Sequence, residues 1–298
     1  LGVEFVGRGE TGYPVLLAEC EDAPAGLYVR SAAPAACMAT PRPFIAIVGT
    51  RDISPYGKEW CIRIVDALAR TGENPVIVSG LAYGTDITAH LAALENGLDT
   101  IAVMATGADT VYPAAHRPAA RRIEEKPGSA LVTDYPLHTQ AIPVNFVRRN
   151  RIIAGMCRAT ILIESRLKGG GMITADQAFS YDRDVFVLPG RADDPMSAGC
   201  NYLIRTGCAT PITSEKNLME SLGFSLKKTE GGKRKLSEYY RGVLDSCQTE
   251  QMSRILLTIK KNRRISMDEL SETCSIGYNT VAGLCGILET DGFIDIDL

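Results

Sequence analysis

The sequence predicts an α/β fold with a Rossmann-like, doubly wound and mainly parallel sheet, followed by a small C-terminal winged-helix domain. Two observations lead to this class. Short, continuously apolar segments alternate with helical patterns from Ile45 to about Thr213, which is typical of a parallel sheet buried on both faces. After Leu218 the chain becomes polar and basic, and helical patterns resume from Gln251.

The predicted elements of the large domain alternate between strands and helices. The strand segments, in chain order, are FIAIVGT, PVIVSG, DTIAVMATG, SALVTDYP, ATILIES and DVFVLPG. The helices among them are KEWCIRIVDALARTG, TDITAHLAALENG and MITADQAFSYD. Because crossovers between parallel strands are right-handed, the loops after the strands lie at one edge of the sheet, where such a fold binds its ligand.

Four segments are expected along the chain. They are a lead-in (1–40), the Rossmann-like domain (41–220), a linker (221–245) and a winged-helix-like domain (246–298). The linker is predicted from its polar, glycine-containing and basic sequence, SLKKTEGGKRKLSEYYRG. The last segment reads as helix, short helix, turn, helix and a terminal strand, GFIDIDL, which is the order of a winged helix.

Composition points to an ordinary globular protein. Hydrophobic residues make up 45% of the chain and the formal net charge is −3. No apolar run approaches the roughly 20 residues that a membrane span needs, so we expect no membrane partner. The nine cysteines include no C-x-x-C pair. We interpret them as reduced thiols rather than as zinc ligands or a disulfide framework.

Positive charge is concentrated in one part of this acidic chain. Between residues 115 and 170 there are ten Lys or Arg residues and four Asp or Glu residues. Such an excess can form a surface for an anionic ligand. The alternative is a solvated face whose charges pair elsewhere, and the count alone leaves both interpretations open.

Three glycine-rich loops follow predicted strands. They are GTRDISPYG, SGLAYGTD and KGGGMIT. Glycine lets backbone N–H groups approach an oxyanion, and the helix that follows adds its dipole. Arg51 and Ser54 add a guanidinium and a hydroxyl in the first loop, and Lys168 adds an ammonium group in the third. Three such loops at one edge favour an extended ligand that carries phosphates.

The motifs of nucleotide cofactors are absent from these loops. No G-x-G-x-x-G follows the first strand of the sheet, and Gly57-Lys58 is followed by Glu59 rather than by Ser or Thr. We therefore expect no dinucleotide or ATP cofactor.

A further segment, NFVRRNRIIAG, places arginines beside an aromatic residue and two amides. Arg148, Arg149 and Arg151 suit phosphates, whereas Phe146 and the amides suit bases. This combination is expected of a protein that binds single-stranded nucleic acid. The alternative is that Phe146 belongs to the core and that one or two arginines pair with acids.

The few histidines predict no catalytic centre. His90 follows Asp86 by four residues on a helix, so the two share a face. They could form a base and its orienting carboxylate, or a capping Asp beside a structural His. His116 and His138 lie in predicted loops without an obvious Ser or Cys partner. We identify no nucleophile constellation and no metal site.

Taken together, these motifs resemble the DNA processing protein A family, also called DprA or Smf. The resemblance rests on VGTRDISPYG, SGLAYGTDITAH, VYP, NFVRRNRIIAG, LIES and LPG…GCNYLI, and it covers about residues 13–214. It implies a cytoplasmic, non-enzymatic protein that binds single-stranded DNA, forms a homodimer and loads RecA recombinase during natural transformation. The residues that it implies for DNA binding are Gly49, Arg51, Ser54, Phe146, Arg149, Arg151, Lys168 and Gly170.

This chain departs from the pattern of that family at two loops. Tyr83 stands in the second loop where the family tends to have Arg, which removes one expected phosphate contact. The third loop reads KGGGM where the family favours Ser around the central glycine.

Two other functions stay open on the sequence. GGGMITADQAF is similar to the glycine-rich loop of nucleoside-monophosphate phosphoribohydrolases, with Asp176 as the nearest acid that could activate water. Alternatively, the C-terminal module reads DNA and the large domain is a sensor. The helix after the turn, Tyr278 to Thr290, would be the recognition helix. It contains no Lys or Arg, which argues against its reading of bases.

Overall fold

The computed structural model describes residues 2–33, 37–225, 245–262, 265–290 and 294. The chain forms two compact units, Leu1–Lys227 and Lys228–Leu298. Their division falls inside the segment 221–245, most of which lies outside the described residues, so the four segment boundaries stay predictions.

Nine strands form a single sheet within the described part of the first unit. They are β1 (Val3–Gly7), β2 (Gly26–Arg30), β3 (Phe44–Val48), β4 (Val76–Ser79), β5 (Thr100–Val103), β6 (Ala130–Thr133), β7 (Ala159–Leu162), β8 (Asp184–Val187) and β9 (Thr210–Pro211). Their order is β1-β2-β6-β5-β4-β3-β7-β8-β9. All pairs from β6 to β9 are parallel, whereas β1–β2 and β2–β6 are antiparallel. The predicted mainly parallel sheet is confirmed.

The helices of the first unit lie on both faces of this sheet. They are α1 (Val15–Ala18), α2 (Pro55–Ala69), α3 (Thr85–Glu95), α4 (Arg117–Glu125), α5 (Pro143–Met156), α6 (Gly170–Ser180), α7 (Ala198–Arg205) and α8 (Glu215–Ser221). Successive residues of β3 alternate between two cores, with Phe44, Ala46 and Val48 in one and Ile45 and Ile47 in the other. Both faces of β3 are therefore buried, which explains its uninterrupted apolar sequence.

The direction of the chain across the sheet changes at β3. From β3 the chain adds β4, β5 and β6 on one side, and it then returns through α5 to β7 on the other side. The loops after β3 and β7 consequently lead to different helices and leave a crevice at the carboxyl ends of the strands. Open α/β sheets bind their ligands at such a switch point.

The second unit contains three described helices, α9 (Ser246–Lys261), α10 (Met267–Cys274) and α11 (Tyr278–Thr290). Met252, Leu270 and Val281 contribute one buried residue from each helix to a common core. These helices agree with the helical part of the predicted winged-helix module. The predicted terminal strand, GFIDIDL, lies outside the described residues except for Ile294.

Two further expectations concern cysteines and membranes. No disulfide bond joins the cysteines of the described chain, and most of them are buried. Among the described helices, none combines the length and the apolar character that a bilayer span requires.

Candidate nucleic-acid interface

A cleft of about 310 Å³ opens at the switch point of the sheet. The loops after β3, β4 and β5 and the helices α5 and α6 contribute to its walls. Of the predicted site residues, those that line the cleft are Gly49, Arg51, Phe146, Arg149 and Gly170. Ser54, Arg151 and Lys168 do not line it. The topology thus brings together residues from three segments that are far apart in the chain.

The loops after β3 and β4 pack against each other so closely that they require glycine. Gly84 has a φ of +70°, and a Cβ there would lie 2.4 Å from the carbonyl oxygen of Thr50. A Cβ on Gly49 would lie 2.5 Å from Thr85 Oγ1. The Thr85 N–H also donates to the carbonyl oxygen of Thr50 at 3.1 Å. This packing holds the loop that carries Arg51 in place.

Arg51 and Phe146 meet at the wall of the cleft. The Arg51 side chain is exposed, and its guanidinium carbon lies 5.2 Å from the centroid of the half-buried Phe146 ring. Tyr112 packs edge-on against the same ring, with centroids 5.6 Å apart. A guanidinium over an aromatic face keeps the donors at its edge available for a phosphate. Charge and aromatic surface therefore lie side by side, as in sites for single-stranded nucleic acid.

Ser54 caps helix α2 instead of facing the cleft. Its hydroxyl accepts a hydrogen bond from the Gly57 N–H at 3.0 Å and donates one to Glu164 Oε1 at 2.5 Å. The Ser54 N–H donates to the other oxygen of the same carboxylate at 2.9 Å. Glu164 is buried just after β7. The hydroxyl predicted as a phosphate donor is thus used inside the protein, where it ties the first loop to β7.

Arg149 lies beneath the cleft with only 3% of its surface exposed. Its Nη1 donates to the carbonyl oxygen of Gly80 at 2.8 Å and to that of Val103, so it connects α5 to the ends of β4 and β5. Burial lowers the pKa of Arg149 to about 10, and the nearby charge of Asp86 opposes that shift. Burial raises the pKa of Asp86, while Arg149 and two backbone N–H groups lower it.

The remaining predicted residues have different environments. Arg151 forms an ion pair with Asp134 at 2.6 Å and donates to the carbonyl oxygen of Asp22. Lys168 is exposed, and within the described chain its ammonium group has no hydrogen-bonded or ionic partner. A Cβ on Gly170, the first residue of α6, would meet no atom within 4 Å. The DNA contacts of all eight predicted residues stay predictions. The polar groups of Ser54, Arg149 and Arg151 already have partners within the protein.

The local basic excess contains both engaged and available charges. Arg149, Arg151 and Lys126 are bonded within the protein, and Arg158 packs over an aromatic ring. The exposed basic residues for which the described chain offers no ionic partner are Arg117, Arg121, Arg122, Arg148, Arg166 and Lys168. The interpretation that the charges pair within the protein therefore holds for the engaged residues, whereas the exposed ones stay available for an anionic ligand.

The structure favours the structural interpretation of His90 and Asp86. The buried His90 places Nδ1 2.7 Å from Thr100 Oγ1, whose own proton goes to the carbonyl oxygen of Ile77. Nδ1 must therefore be the donor. Asp86 accepts hydrogen bonds from backbone N–H groups. Within the described residues no group of three or more His, Cys, Asp or Glu residues is suited to hold a metal ion.

Asp176, the acid that the phosphoribohydrolase alternative requires, is exposed on α6 and is not among the residues that line the cleft. Partial desolvation raises the pKa of its carboxyl group, and no nearby charge contributes to that shift. That alternative is not favoured.

Sequence reasoning missed three features of the site. Tyr112 lies in the VYP motif, but its spacing in the sequence does not indicate its contact with Phe146. Glu164 lies in the LIES motif, and its spacing likewise does not indicate its contact with Ser54. The burial of Arg149 had a signal, because it shares a helical face with Ile152 and the other apolar residues of α5.

A family model and proteins of known sequence match this chain over the region that contains the motifs. The model of the family described as DNA recombination-mediator protein A matches residues 4–223. DNA processing protein DprA from Streptococcus pneumoniae is 38% identical over 215 residues, which cover 71% of this chain and 72% of that protein. Protein Smf from Escherichia coli is 39% identical over 182 residues, which cover 61% of this chain. The match spans 48% of that Smf protein, about half of its length.

Two solved structures share the fold. The X-ray structure of DNA processing protein A from Streptococcus pneumoniae has a TM-score of 0.68 and 35% identity, and the match covers 76% of this chain and 75% of that one. DNA processing protein A from Helicobacter pylori, whose structure addresses its single-stranded DNA binding mode, has a TM-score of 0.64 and 29% identity over 74% and 95% of the two chains. The predicted resemblance is confirmed, and this chain belongs to the DNA recombination-mediator protein A family.

Proposed function

We propose that this chain binds single-stranded DNA, without catalysis, in the cleft at the carboxyl ends of β3 and β7. The observation that carries the proposal is the exposed Arg51 guanidinium over the Phe146 ring. The pair offers a charge for a phosphate and an aromatic surface for a base. The relative from Helicobacter pylori, whose structure concerns single-stranded DNA binding, supports the same ligand.

The predicted residues divide into two roles in this proposal. The residues that contact DNA are at least partly exposed and lie at or beside the cleft; they are Gly49, Arg51, Phe146, Lys168 and Gly170. Ser54, Arg149 and Arg151 position these groups through hydrogen bonds and ion pairs.

A mobility-shift assay that compares single-stranded with double-stranded DNA at two salt concentrations tests the proposal. We expect preference for the single strand and a steep loss of affinity with salt, because phosphate contacts release counterions. Arg51→Ala and Lys168→Ala should each reduce the slope of log affinity against log salt by about 0.7. Lys216→Ala is the control, since Lys216 lies on α8 and pairs with Glu220 at 3.7 Å. Preference for the duplex would contradict the proposal.

We further propose that the chain acts as a cytoplasmic homodimer that protects incoming strands and loads RecA recombinase in transformation and recombination. The description of the family as a recombination mediator supports this role. The expected result is that the protein shortens the lag of RecA ATPase activity on DNA covered by single-strand-binding protein, whereas Arg51→Ala does not. An unchanged lag with the wild-type protein would contradict the loading role.

Two assays address the other functions. Truncation after Gly242 should leave single-strand binding largely intact, because the first unit contains the cleft and has cores of its own. Loss of binding would favour the C-terminal module as the DNA reader. Incubation with AMP should release no adenine, and a release that Asp176→Ala abolishes would overturn the non-enzymatic proposal.

A further inference from the structure

We infer that Tyr83 and Tyr112 extend the binding surface as platforms on which DNA bases stack. Together with Phe146 they form an aromatic row, defined here as Tyr83, Tyr112 and Phe146. The inference rests on the proposed function and names two additional contact residues and the part of the ligand that they bind.

Two ring contacts, one hydrogen bond and the short chain segment from Tyr112 to His116 connect the row. Tyr112 packs against Phe146 at 5.6 Å with an interplanar angle of 66°. Four residues later, His116 packs against Tyr83 at 4.8 Å with an angle of 67°. His116 Nδ1 donates to the carbonyl oxygen of Leu81 at 2.8 Å. This bond joins the loop after β5 to the loop after β4, so the two loops that carry the tyrosines are held together.

Both tyrosines are exposed to solvent. Each has 50% of its surface exposed. Within the described chain neither phenolic oxygen has a hydrogen-bond partner, whereas Tyr13, Tyr135 and Tyr181 each donate to an oxygen atom. Rings that neighbours hold in edge-on contacts, but that no hydrogen bond restrains, present an apolar surface to solvent. Exposed aromatic surface beside a site is available for contact with a ligand.

The order of the strands places the row next to the charges of the cleft. Across the sheet the loops follow in the order β5, β4, β3 and β7, and they carry Tyr112, Tyr83, Arg51 and Lys168 respectively. Arg51 and Lys168 thus lie on the β3 and β7 side, and the tyrosines lie on the β4 and β5 side. A strand that passes along this edge meets cations at one end and aromatic rings at the other. Stacking is available to every base, so we expect little sequence preference.

An oligonucleotide without bases separates stacking from phosphate binding. We would measure fluorescence anisotropy with oligo-dT and with an oligomer of abasic residues of the same length. Tyr83→Ala and Tyr112→Ala should each weaken oligo-dT binding on the order of tenfold and leave abasic binding unchanged. Tyr83→Phe and Tyr112→Phe should retain affinity, because the ring and not the hydroxyl stacks.

Control variants keep the test decisive. Phe179→Ala removes another exposed ring, 55% accessible, near the opposite end of α6 from the cleft, and it should bind both oligomers like the wild type. Tyr83→Leu and Tyr112→Leu preserve apolar packing if an alanine variant fails to fold, and the same selective loss is expected.

Three results would overturn the inference or its basis. Wild-type affinity for oligo-dT in both alanine and leucine variants would overturn the stacking role while the proposed function stands. Equal losses of affinity for oligo-dT and for the abasic oligomer would show that the tyrosines hold the loops in position and do not stack on bases. If the wild-type protein binds no single-stranded DNA, the proposed function itself fails.

Discussion

Arg51 lies over the ring of Phe146, although the loop after β3 supplies one residue and α5 the other. The two elements meet because α5 returns the chain across the sheet at the point where the strand order reverses. A cation on a π-face outside the protein interior contributes about 0.5–1 kcal/mol. The contact is therefore strong enough to orient Arg51 and weak enough to allow a phosphate to compete for the guanidinium.

A double-mutant cycle tests this coupling. Arg51→Ala and Phe146→Ala should each weaken single-strand binding, and the double variant should lose less than the sum by about 0.5–1 kcal/mol, because Phe146 orients Arg51. Dissociation constants for oligo-dT at one salt concentration provide the measurement. Arg205 over Tyr202, also 5.2 Å from its ring, is a matched pair on α7, and its disruption should leave binding unchanged. Strict additivity at Arg51 and Phe146 would disprove the coupling.

Two neighbouring glycines of α6 should respond differently to alanine. Gly170 borders open space, so Gly170→Ala should keep the thermal stability and weaken DNA binding by narrowing the cleft. A Cβ on Gly171 would lie 2.6 Å from Leu162 Cδ1 and 3.3 Å from Gly49 Cα, so Gly171→Ala should destabilise the fold by about 1–3 kcal/mol. Thermal unfolding and oligo-dT affinity of the two variants distinguish the effects. Equal melting temperatures would argue against the tight packing of Gly171.

Arg148 and Arg149 are adjacent in the chain and should differ in their effect on stability. Arg149→Ala leaves two carbonyl oxygens and Asp86 without their cationic partner, so it should destabilise the fold by about 3–5 kcal/mol. The exposed Arg148 has no such partner in the described chain, and Arg148→Ala should change stability by less than about 0.5 kcal/mol. Urea denaturation measures both. A stable Arg149→Ala protein that loses only DNA affinity would instead place Arg149 in direct contact with the ligand.

His90 should make the fold sensitive to acid. Burial lowers its pKa from 6.5 to about 3, and its Nε2 atom has no hydrogen-bond partner in the described chain. Between these pH values the unfolded chain binds a proton that the folded chain rejects. The contribution of His90 to stability is therefore complete above pH 6.5 and falls as the pH decreases towards 3, by on the order of 4 kcal/mol.

The variant His90→Leu removes the titrating group and keeps Thr100 bonded to the carbonyl oxygen of Ile77. Its free energy of unfolding should fall less steeply than that of the wild type between pH 6.5 and 4. Denaturant titrations of both proteins across this range provide the comparison. Parallel curves would show that His90 is protonated in the folded protein.

Much of the large domain could be predicted from local patterns. The apolar runs around Ile45, Ile77 and Ile161 are buried on both faces of the sheet, and this condition alone makes a strand continuously apolar. The first two strands were not predicted. They lie at an antiparallel edge, and β1 in particular is largely exposed, so it lacks that signature.

Local sequence patterns are sufficient to predict six strands and three helices of the large domain, and the sheet edge that carries the glycine-rich loops with Arg51. Three contacts depend on the assembled fold: Ser54 binds Glu164, Arg149 supports the cleft from below and Tyr112 packs on Phe146. Strand and helix periodicity are local properties that neighbouring residues encode. Whether a polar side chain is available to a ligand depends on partners brought by distant strands, and the packing of the complete sheet selects them.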